Sequence, residues 1–269
     1  MGRPRIYTLD ENYFDSIDNP NKAYIIGFIY ADGSINLKRN LLTICISEKD
    51  LEILEFIKKE LNYSGIISFK KIKENNYISL NITSKKLISK LQNIGVIQNK
   101  TYESKNLPMI PKLYYNDMIR GIFDGDGGIH RGDLRSYVVS FSSNIFILKE
   151  LKKYFENLNI NFGKIRLRNK NSIYSGMMET KKIDNLEKIF NFLYSNPNIF
   201  FLQRKYNKFL EYYKMRETIN IHYSDDMVKE VVKLYNNKER QFEIAIKLNI
   251  PSSSVRGIIQ RARKRNLCK

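Results

Sequence analysis

Two aspartates stand at matched places in the chain. Asp32 closes the apolar stretch IIGFIYADG (25–33), and ninety-four residues later Asp126 closes IRGIFDGDG (119–127). Each is followed by a glycine, Gly33 or Gly127, and each stands five residues after another glycine, Gly27 or Gly121, inside an apolar run. An interior helix glycine is about 1 kcal/mol less favourable than alanine, so its repetition implies a contact that offsets it. Gly27 with Ala31, and Gly121 with Gly125, are four apart and share a helix face. Small residues there let two helices pack with their backbones close, across a pseudo-twofold axis. Asp32 and Asp126 would then lie side by side at the helix ends, with Gly33 and Gly127 turning the chain out as C-caps. Two adjacent carboxylates repel unless a cation lies between them. Shared divalent ions would relieve that repulsion and supply a Lewis acid, an activated water and a stabilised leaving oxygen for phosphodiester cleavage.

The rest of the composition narrows the metal and the partner. Two histidines, His130 and His222, and two cysteines, Cys45 and Cys268, cannot build a zinc finger or a histidine-metal centre. A metal site must lean on carboxylates, which suits Mg²⁺, with Mn²⁺ substituting and Ca²⁺ supporting binding without turnover. Cys45 is expected in a strand core and Cys268 in a tail, with no disulfide between them. Forty-six Lys and Arg against 28 Asp and Glu give +18 and a pI of about 9.7. These charges are spread along the chain and point to a nucleic-acid partner. The longest apolar run, AYIIGFIYA, is too short to span a bilayer. MGRPRIYTLDENYF has no secretory apolar region and no myristoylation signature. A reducing intracellular compartment is therefore the expectation. The 269 residues, 42% hydrophobic, suffice for one large domain or two to three small ones.

Outward from the aspartates, the flanks repeat as well. ISEKDLEILEFIKKEL (46–61) aligns with FSSNIFILKELKKYFE (141–156), and YISLNITSKKL (77–87) with YSGMMETKKI (174–183). Each copy opens on the glycine helix. A strand pair follows, GSINLK with LLTICIS or GGIHR with SYVVSFS, and then an amphipathic helix at 49–61 or 144–157. A second pair follows, GIISFKKI with YISLNIT or GKIRLRN with SIYSGMME, joined through KENN and NKN. A helix closes each copy, at 84–94 and 181–194. The expected fold is α+β: two αββαββα repeats with antiparallel hairpins, plus a small all-α domain.

That last domain begins near 219. SDDMVKEVVKLYNN, RQFEIAIKLNI and SSSVRGIIQRARKR read as three helices, the first capped by Ser224. Ala245, Leu248, Ile250, Ser254, Val255 and Ile258 have helix-turn-helix spacing, which leaves Ser252, Ser253, Arg256 and Gln260 near a groove and Arg261, Arg263, Lys264 and Arg265 for phosphates. A plain three-helix bundle with a basic end is the alternative. The expected divisions are 1–20, a basic arm whose GRPR suits a minor groove; 21–105, the first repeat; 106–218, a linker and the second repeat; and 219–269, the helical domain.

The paired motifs and their flanks, over about residues 20 to 215, resemble a single-chain LAGLIDADG homing endonuclease. The resemblance implies that Asp32 and Asp126 bind the catalytic divalent metals. It implies that two four-stranded sheets form a saddle on the DNA major groove, with the active site across the minor groove. It also implies a double-strand cut in a long asymmetric target, leaving short 3′ overhangs. Peripheral positions match Lys100, Lys205 and Glu48, with Ser143 opposite Glu48. Tyr30 departs from the acidic residue common at its motif position, which Asp124 keeps. DNA contacts are expected from Lys38, Arg39, Lys70, Lys71, Lys73, Arg131, Arg135, Arg166, Arg168 and Lys170. The alternation in KIRLR puts Arg166 and Arg168 on one face, suited to guanine edges. The expected partner is double-stranded DNA bound by a monomer. A cleavage-deficient DNA-binding regulator, or a maturase on its own intron RNA, is the alternative. An intein is disfavoured by the absence of splice-junction residues at either end.

Overall fold

The computed structural model describes residues 6–133, 136–168, 174–196, 199–219, 223–250 and 252–264. Arg135, Lys170, Arg265, Cys268 and the GRPR arm lie outside the described residues, as does the side chain of Ser253. Among the described residues no helix is long and apolar enough to cross a membrane.

The first repeat begins with α1 (Pro20–Asp32), set up by Pro20 in its first turn and by Asn19, whose side chain accepts from the Lys22 amide. Ala23 to Tyr30 are all buried, so this helix is a core element without a solvent face. The chain passes directly into β1 (Gly33–Asn36) and pairs back through β2 (Leu41–Ser47). β1 is shorter than GSINLK because the Asn36 side chain accepts from the Arg39 amide and turns the chain. A 3₁₀ turn leads into α2 (Leu51–Glu60), followed by β3 (Ile67–Ile72), β4 (Asn75–Thr83) and α3 (Lys85–Ile94). The β3–β4 hairpin turns on two residues, Lys73 and Glu74, and Lys73 takes a φ of 54°. Ser84 caps α3, and Gly95, at φ 104°, ends it.

A short α4 (Lys100–Glu103) and a 3₁₀ turn lead to the second repeat: α5 (Tyr115–Asp126), β5 (Gly127–Asp133), β6 (Ser136–Asn144), α6 (Ile145–Asn157), β7 (Arg166–Leu167), β8 (Ser175–Thr180) and α7 (Ile183–Tyr194). The sheets have the same antiparallel order, β1-β2-β4-β3 and β5-β6-β8-β7. The segment expected as GKIRLRN forms a regular ladder only at Arg166–Leu167, extended by single backbone bonds from Gly163 to Glu179 and from Arg168 to Ser175.

One face of each sheet is buried. Leu42, Ile44, Ile46, Ile78, Leu80 and Ile82 are buried in the first sheet, and Val139, Phe141 and Met178 in the second. Cys45 corrects the expectation of a core thiol. Its neighbours Ile44 and Ile46 take the buried face, so Cys45 projects from the opposite one and is exposed.

α8 (Gln203–Ile219) follows, a helix that the sequence pattern does not announce because its apolar residues mark no single stripe. The chain divides into compact units 1–209 and 210–269, so the division falls inside α8 rather than near 219. The second unit contains α9 (Asp225–Asn236), α10 (Gln241–Lys247) and α11 (Ser252–Lys264). Ser224 caps α9, accepting from the Met227 amide. Val231, Leu234, Ile244, Ala245, Val255, Ile258 and Ile259 form this unit's buried core.

Candidate active site

The glycines of α1 and α5 mark where the two helices meet. A Cβ built on Gly27 would lie 2.0 Å from the Met118 carbonyl oxygen, and one on Gly121 2.1 Å from that of Tyr24. Tyr24 and Met118 are counterparts under the repeat, so the contact is reciprocal. A Cβ on Gly125 would fall 2.4 Å from Ala31 Cβ and 3.1 Å from Asp32 Oδ2. Only glycine fits at these three places. The approach carries the Asp32 carboxylate against the helix that bears Asp126.

Gly33 and Gly127 carry the chain out of each helix and directly into a strand. Both are extended, with φ of −79° and −86°. Space demands glycine here: an added Cβ would sit 2.5 Å from the Ile29 oxygen at Gly33, and 2.3 Å from the Phe123 ring at Gly127.

Burial, then the charge of Asp126, pushes the Asp32 carboxyl up to about 6. Burial also raises Asp126, opposed by Lys100, Lys205 and Arg168. Neither carboxylate has a hydrogen-bond or ion-pair partner among the described residues. Two lysines accompany them. Lys205 Nζ donates to the carbonyls of Phe123 (2.6 Å), Asp124 (2.8 Å) and Gly127 (2.6 Å), with Gly125 at 3.5 Å. Lys100 Nζ donates to the carbonyls of Ile29 (3.1 Å) and Gly33. Ile29 and Gly33 are the counterparts of Phe123 and Gly127. Each lysine thus bonds carbonyls at the end of one motif helix, including the one that already accepts from the glycine amide after the aspartate, and places a cation at the helix's negative pole. Burial pulls both ammonium groups down to about 8.

The sixth motif positions anchor rather than react. Asp124 is buried and accepts from the Tyr24 hydroxyl (2.9 Å) and the Leu202 amide (2.8 Å). At the counterpart position the Tyr30 hydroxyl meets Ser104 Oγ (2.6 Å) and donates to the Asn106 carbonyl (3.2 Å). Either residue ties the chain leaving its repeat to the motif helix.

The surroundings then diverge. Glu48 accepts from the Asn76 side chain (2.7 Å), at the outer hairpin. After Asp126, the further acid that raises Asp32 is not Glu48 but Asp50, which no sequence motif singles out. Asp50 is buried and takes a two-pronged contact from Arg204, at 2.5 and 2.8 Å. In the second half a cavity of about 160 Å³ is lined by Asp126, Lys100, Tyr30, Ser142, Ser143 and Arg168 among others. Arg168, expected as a DNA contact, therefore belongs to the centre as well.

The register sorts the remaining basic residues. Lys38 and Arg39 are exposed at the β1–β2 turn and Lys73 at the β3–β4 turn. Lys70 pairs with Tyr77 and lies on the outward face. Lys71, opposite Asn76, falls on the other face with Phe69, and Arg131, opposite the buried Tyr137, likewise shares the helix-side face. Arg166, opposite Met177, is outward and ion-paired to Glu179. On α11, Ser252, Arg256, Gln260, Arg261 and Arg263 are exposed, and Arg263 also donates to the Tyr235 hydroxyl (2.6 Å).

No group of three or more His, Cys, Asp or Glu converges as a complete cation cage among the described residues. Two unpartnered carboxylates still fit Mg²⁺, which takes one or two carboxylates and completes its shell with water and substrate phosphate.

A family model described as a LAGLIDADG-like domain matches residues 19–95, within the first repeat. The I-GzeII LAGLIDADG homing endonuclease in complex with its DNA target aligns with 81% of this chain and 97% of its own, at 18% identity and a TM-score of 0.52. The LAGLIDADG meganuclease I-AabMI bound to uncleaved DNA aligns with 75% of this chain and 91% of its own, at 14% identity and a TM-score of 0.51. The fold is thus that of these endonuclease structures. A curated relative, the glutamine–fructose-6-phosphate aminotransferase of Methanocaldococcus jannaschii, is 29% identical over 207 residues. The match takes in 66% of this chain and 18% of that protein, so the chain spans less than a fifth of the relative's length.

Proposed function

We propose that this protein is a site-specific DNA endonuclease that hydrolyses one phosphodiester on each strand of a long, asymmetric duplex target, leaving short 3′ overhangs. The observation that carries the reading is the pair Asp32 and Asp126. Two half-buried carboxylates, without hydrogen-bond or ion-pair partners among the described residues, stand close enough to feel each other's charge at the ends of helices packed through glycine, in a chain of charge +18. Such a pair is unfavourable in isolation and useful only beside a cation. Asp32 and Asp126 would hold Mg²⁺, or Mn²⁺ in its place, which when bound supplies Lewis acidity toward the phosphate and a water of lowered pKa.

The chain's own groups do the rest. Lys100 and Lys205 offer positive charge to the phosphates on either side of the axis, and their carbonyl contacts fix where that charge sits. Arg168 adds a third cation on the Asp126 side. The outward sheet faces, with Lys70 and Arg166, and the turns bearing Lys38, Arg39 and Lys73, suit the major groove on each flank. Ser252, Arg256, Gln260, Arg261 and Arg263 on α11 serve as a helix-turn-helix contact beyond the core site, raising affinity through effective concentration. One chain supplies both aspartates, so a monomer suffices.

Cleavage of the DNA flanking its own gene, or of a randomised plasmid library, tests the reading. Discrete double-strand cuts are expected in Mg²⁺, with binding but no cuts in Ca²⁺. Asp32→Asn and Asp126→Asn each abolish cleavage and keep binding. Retained cleavage in both variants would sink the metal assignment. Binding without cuts by the native protein in Mg²⁺ would favour the regulator, and tighter capture of its own intron RNA than of DNA the maturase.

A further inference from the structure

We infer that the two sheets read half-sites of different base composition, A·T-rich under β1–β4 and bearing a guanine under β5–β8. The inference rests on the endonuclease reading above and deepens it. It comes from strand register. Ile44 lies opposite Gly33, and Phe141 opposite Gly127, the residues that follow the two aspartates. From there the pairing matches the outward positions one by one. Ser68, opposite Ser79, takes the place of Arg166, opposite Met177. Asn81, opposite Thr43, takes the place of Glu179, opposite Ser140. Lys70 takes the place of Arg168.

The last pair is basic in both halves and lies nearest the centre, as the place of Arg168 in the Asp126 cavity shows. It serves the phosphates of both strands alike. One step outward the halves part. In the first, the Thr43 hydroxyl donates to Asn81 Oδ1 at 2.7 Å. That bond orients the amide and leaves its N–H₂ and the second lone pair of Oδ1 outward, the pattern that pairs with the N7 and N6 of adenine. Ser68 and the exposed Cys45 beside it carry no charge and suit a thymine methyl or a single hydrogen bond. In the second half, Glu179 holds one edge of the Arg166 guanidinium. The rest of that planar fork faces outward, matched to O6 and N7 of guanine. Arg166 stands two residues beyond Arg168, about 7 Å along an extended strand. Its guanine therefore lies about two base pairs beyond the step that Arg168 flanks.

The test enriches a randomised duplex pool on the full-length protein in Ca²⁺. A photo-crosslinker on Cys45, in a Cys268→Ser background that leaves one thiol, marks the half under the first sheet. The crosslinked half should be A·T-rich and the other should carry a guanine near the cut. Arg166→Ala should reduce discrimination at that guanine about tenfold, with the first half unchanged. Ser68→Arg combined with Asn81→Glu should create a guanine preference at the matching place in the first half. Equal composition in both halves, the reverse assignment, or an unchanged guanine preference in Arg166→Ala overturns the inference while leaving the endonuclease reading intact. A folded protein that enriches no duplex overturns both.

Discussion

The two repeats agree where they touch each other and differ where they face outward. At the axis the agreement is atom by atom. Gly27 and Gly121 admit each other's helix, and Lys100 and Lys205 bond the carbonyls of counterpart residues. A short step away it ends. Asp50 and Arg204 form a buried-acid pair beside Asp32, whereas the strand end beside Asp126 carries Asn144, whose amide donates to the Thr101 (2.8 Å) and Ser104 (3.1 Å) carbonyls. A helix contact across a pseudo-twofold axis constrains both partners at once, so drift in one copy is opposed by the other. On the proposed reading the periphery would meet a different half of the duplex in each repeat, and so is free to diverge.

The sharpest way to break this comparison is at the shared glycines. Gly27→Ala and Gly121→Ala each drive a methyl into a facing backbone oxygen, at 2.0 and 2.1 Å, where no side chain can yield. Each should destabilise by about 3 kcal/mol or more, and the two losses should agree to within about 1 kcal/mol. Urea unfolding of the metal-free proteins measures both. Strongly unequal losses would show that the two helices do not share the axis equally.

The lysines come next and should be unequal. Lys205 is bonded to more carbonyls than Lys100 and also faces the buried Asp124. Lys205→Met should lose about 3 kcal/mol, and Lys100→Met about half as much. Equal losses would mean that Asp124 gains nothing from its lysine.

How far these features can be read from residues alone follows the same division. Element order, the paired glycines and the adjoining aspartates are legible, because a glycine weakens a helix and recurs at helical spacing chiefly where a second backbone comes close. The second hairpin is legible only within one residue. The similarity of YISLNIT to YSGMMET sets Tyr77 against Tyr174, whereas the register sets Tyr77, opposite Ser47, against Ser175. A slip of one reverses the face of every side chain, and only the ladder decides it. Lys71 and Arg131 fail as outward contacts for that reason: both are basic and exposed, but on the wrong parity. Asp50 escapes sequence reading because its significance depends on Arg204, far off in the chain, and no local pattern joins them. Gly33 and Gly127 are legible as the points where the chain leaves each helix, but the lack of room that excludes a side chain there shows only in the packing.

Titration separates the halves more finely. The folded state raises Asp32 to about 6, above the ordinary carboxylate value, and so favours its protonated form. The associated stability is complete below that ordinary value and is lost as pH rises through about 6. The lysines, lowered to about 8, contribute the opposite way: their stability is present above the ordinary lysine value and is lost as pH falls through 8. Between about 6 and 8 Asp32 and both lysines are charged, and the metal-free site is strained. Asp32→Asn should therefore stabilise the metal-free protein at pH 8, by up to about 2–3 kcal/mol, and progressively less toward pH 4. The rise in Tm caused by Ca²⁺ should weaken below pH 6, as protons compete for Asp32. Stabilisation by the Asn variant that grows on acidification would reverse the assigned sign.

The smallest effect isolates the one pair that the second half lacks. Asp50 adds to the raising of Asp32, and Arg204 is itself favoured by the Asp32 charge. Asp50→Asn removes a negative neighbour and leaves Arg204 uncompensated, and both changes favour the ionised form of Asp32. The pH midpoint of Ca²⁺ stabilisation should then move below 6. Arg204→Met leaves Asp50 unpaired, so the midpoint should move above 6. Opposite displacements by two variants that break the same ion pair cannot come from loss of packing, which would act alike in both. Asn144→Ala, at the strand end beside Asp126, should leave that midpoint in place, because Asn144 brings no charge. Displacements of the same sign in the first two variants would reduce the Asp50–Arg204 pair to a structural tie and leave the two halves electrostatically alike.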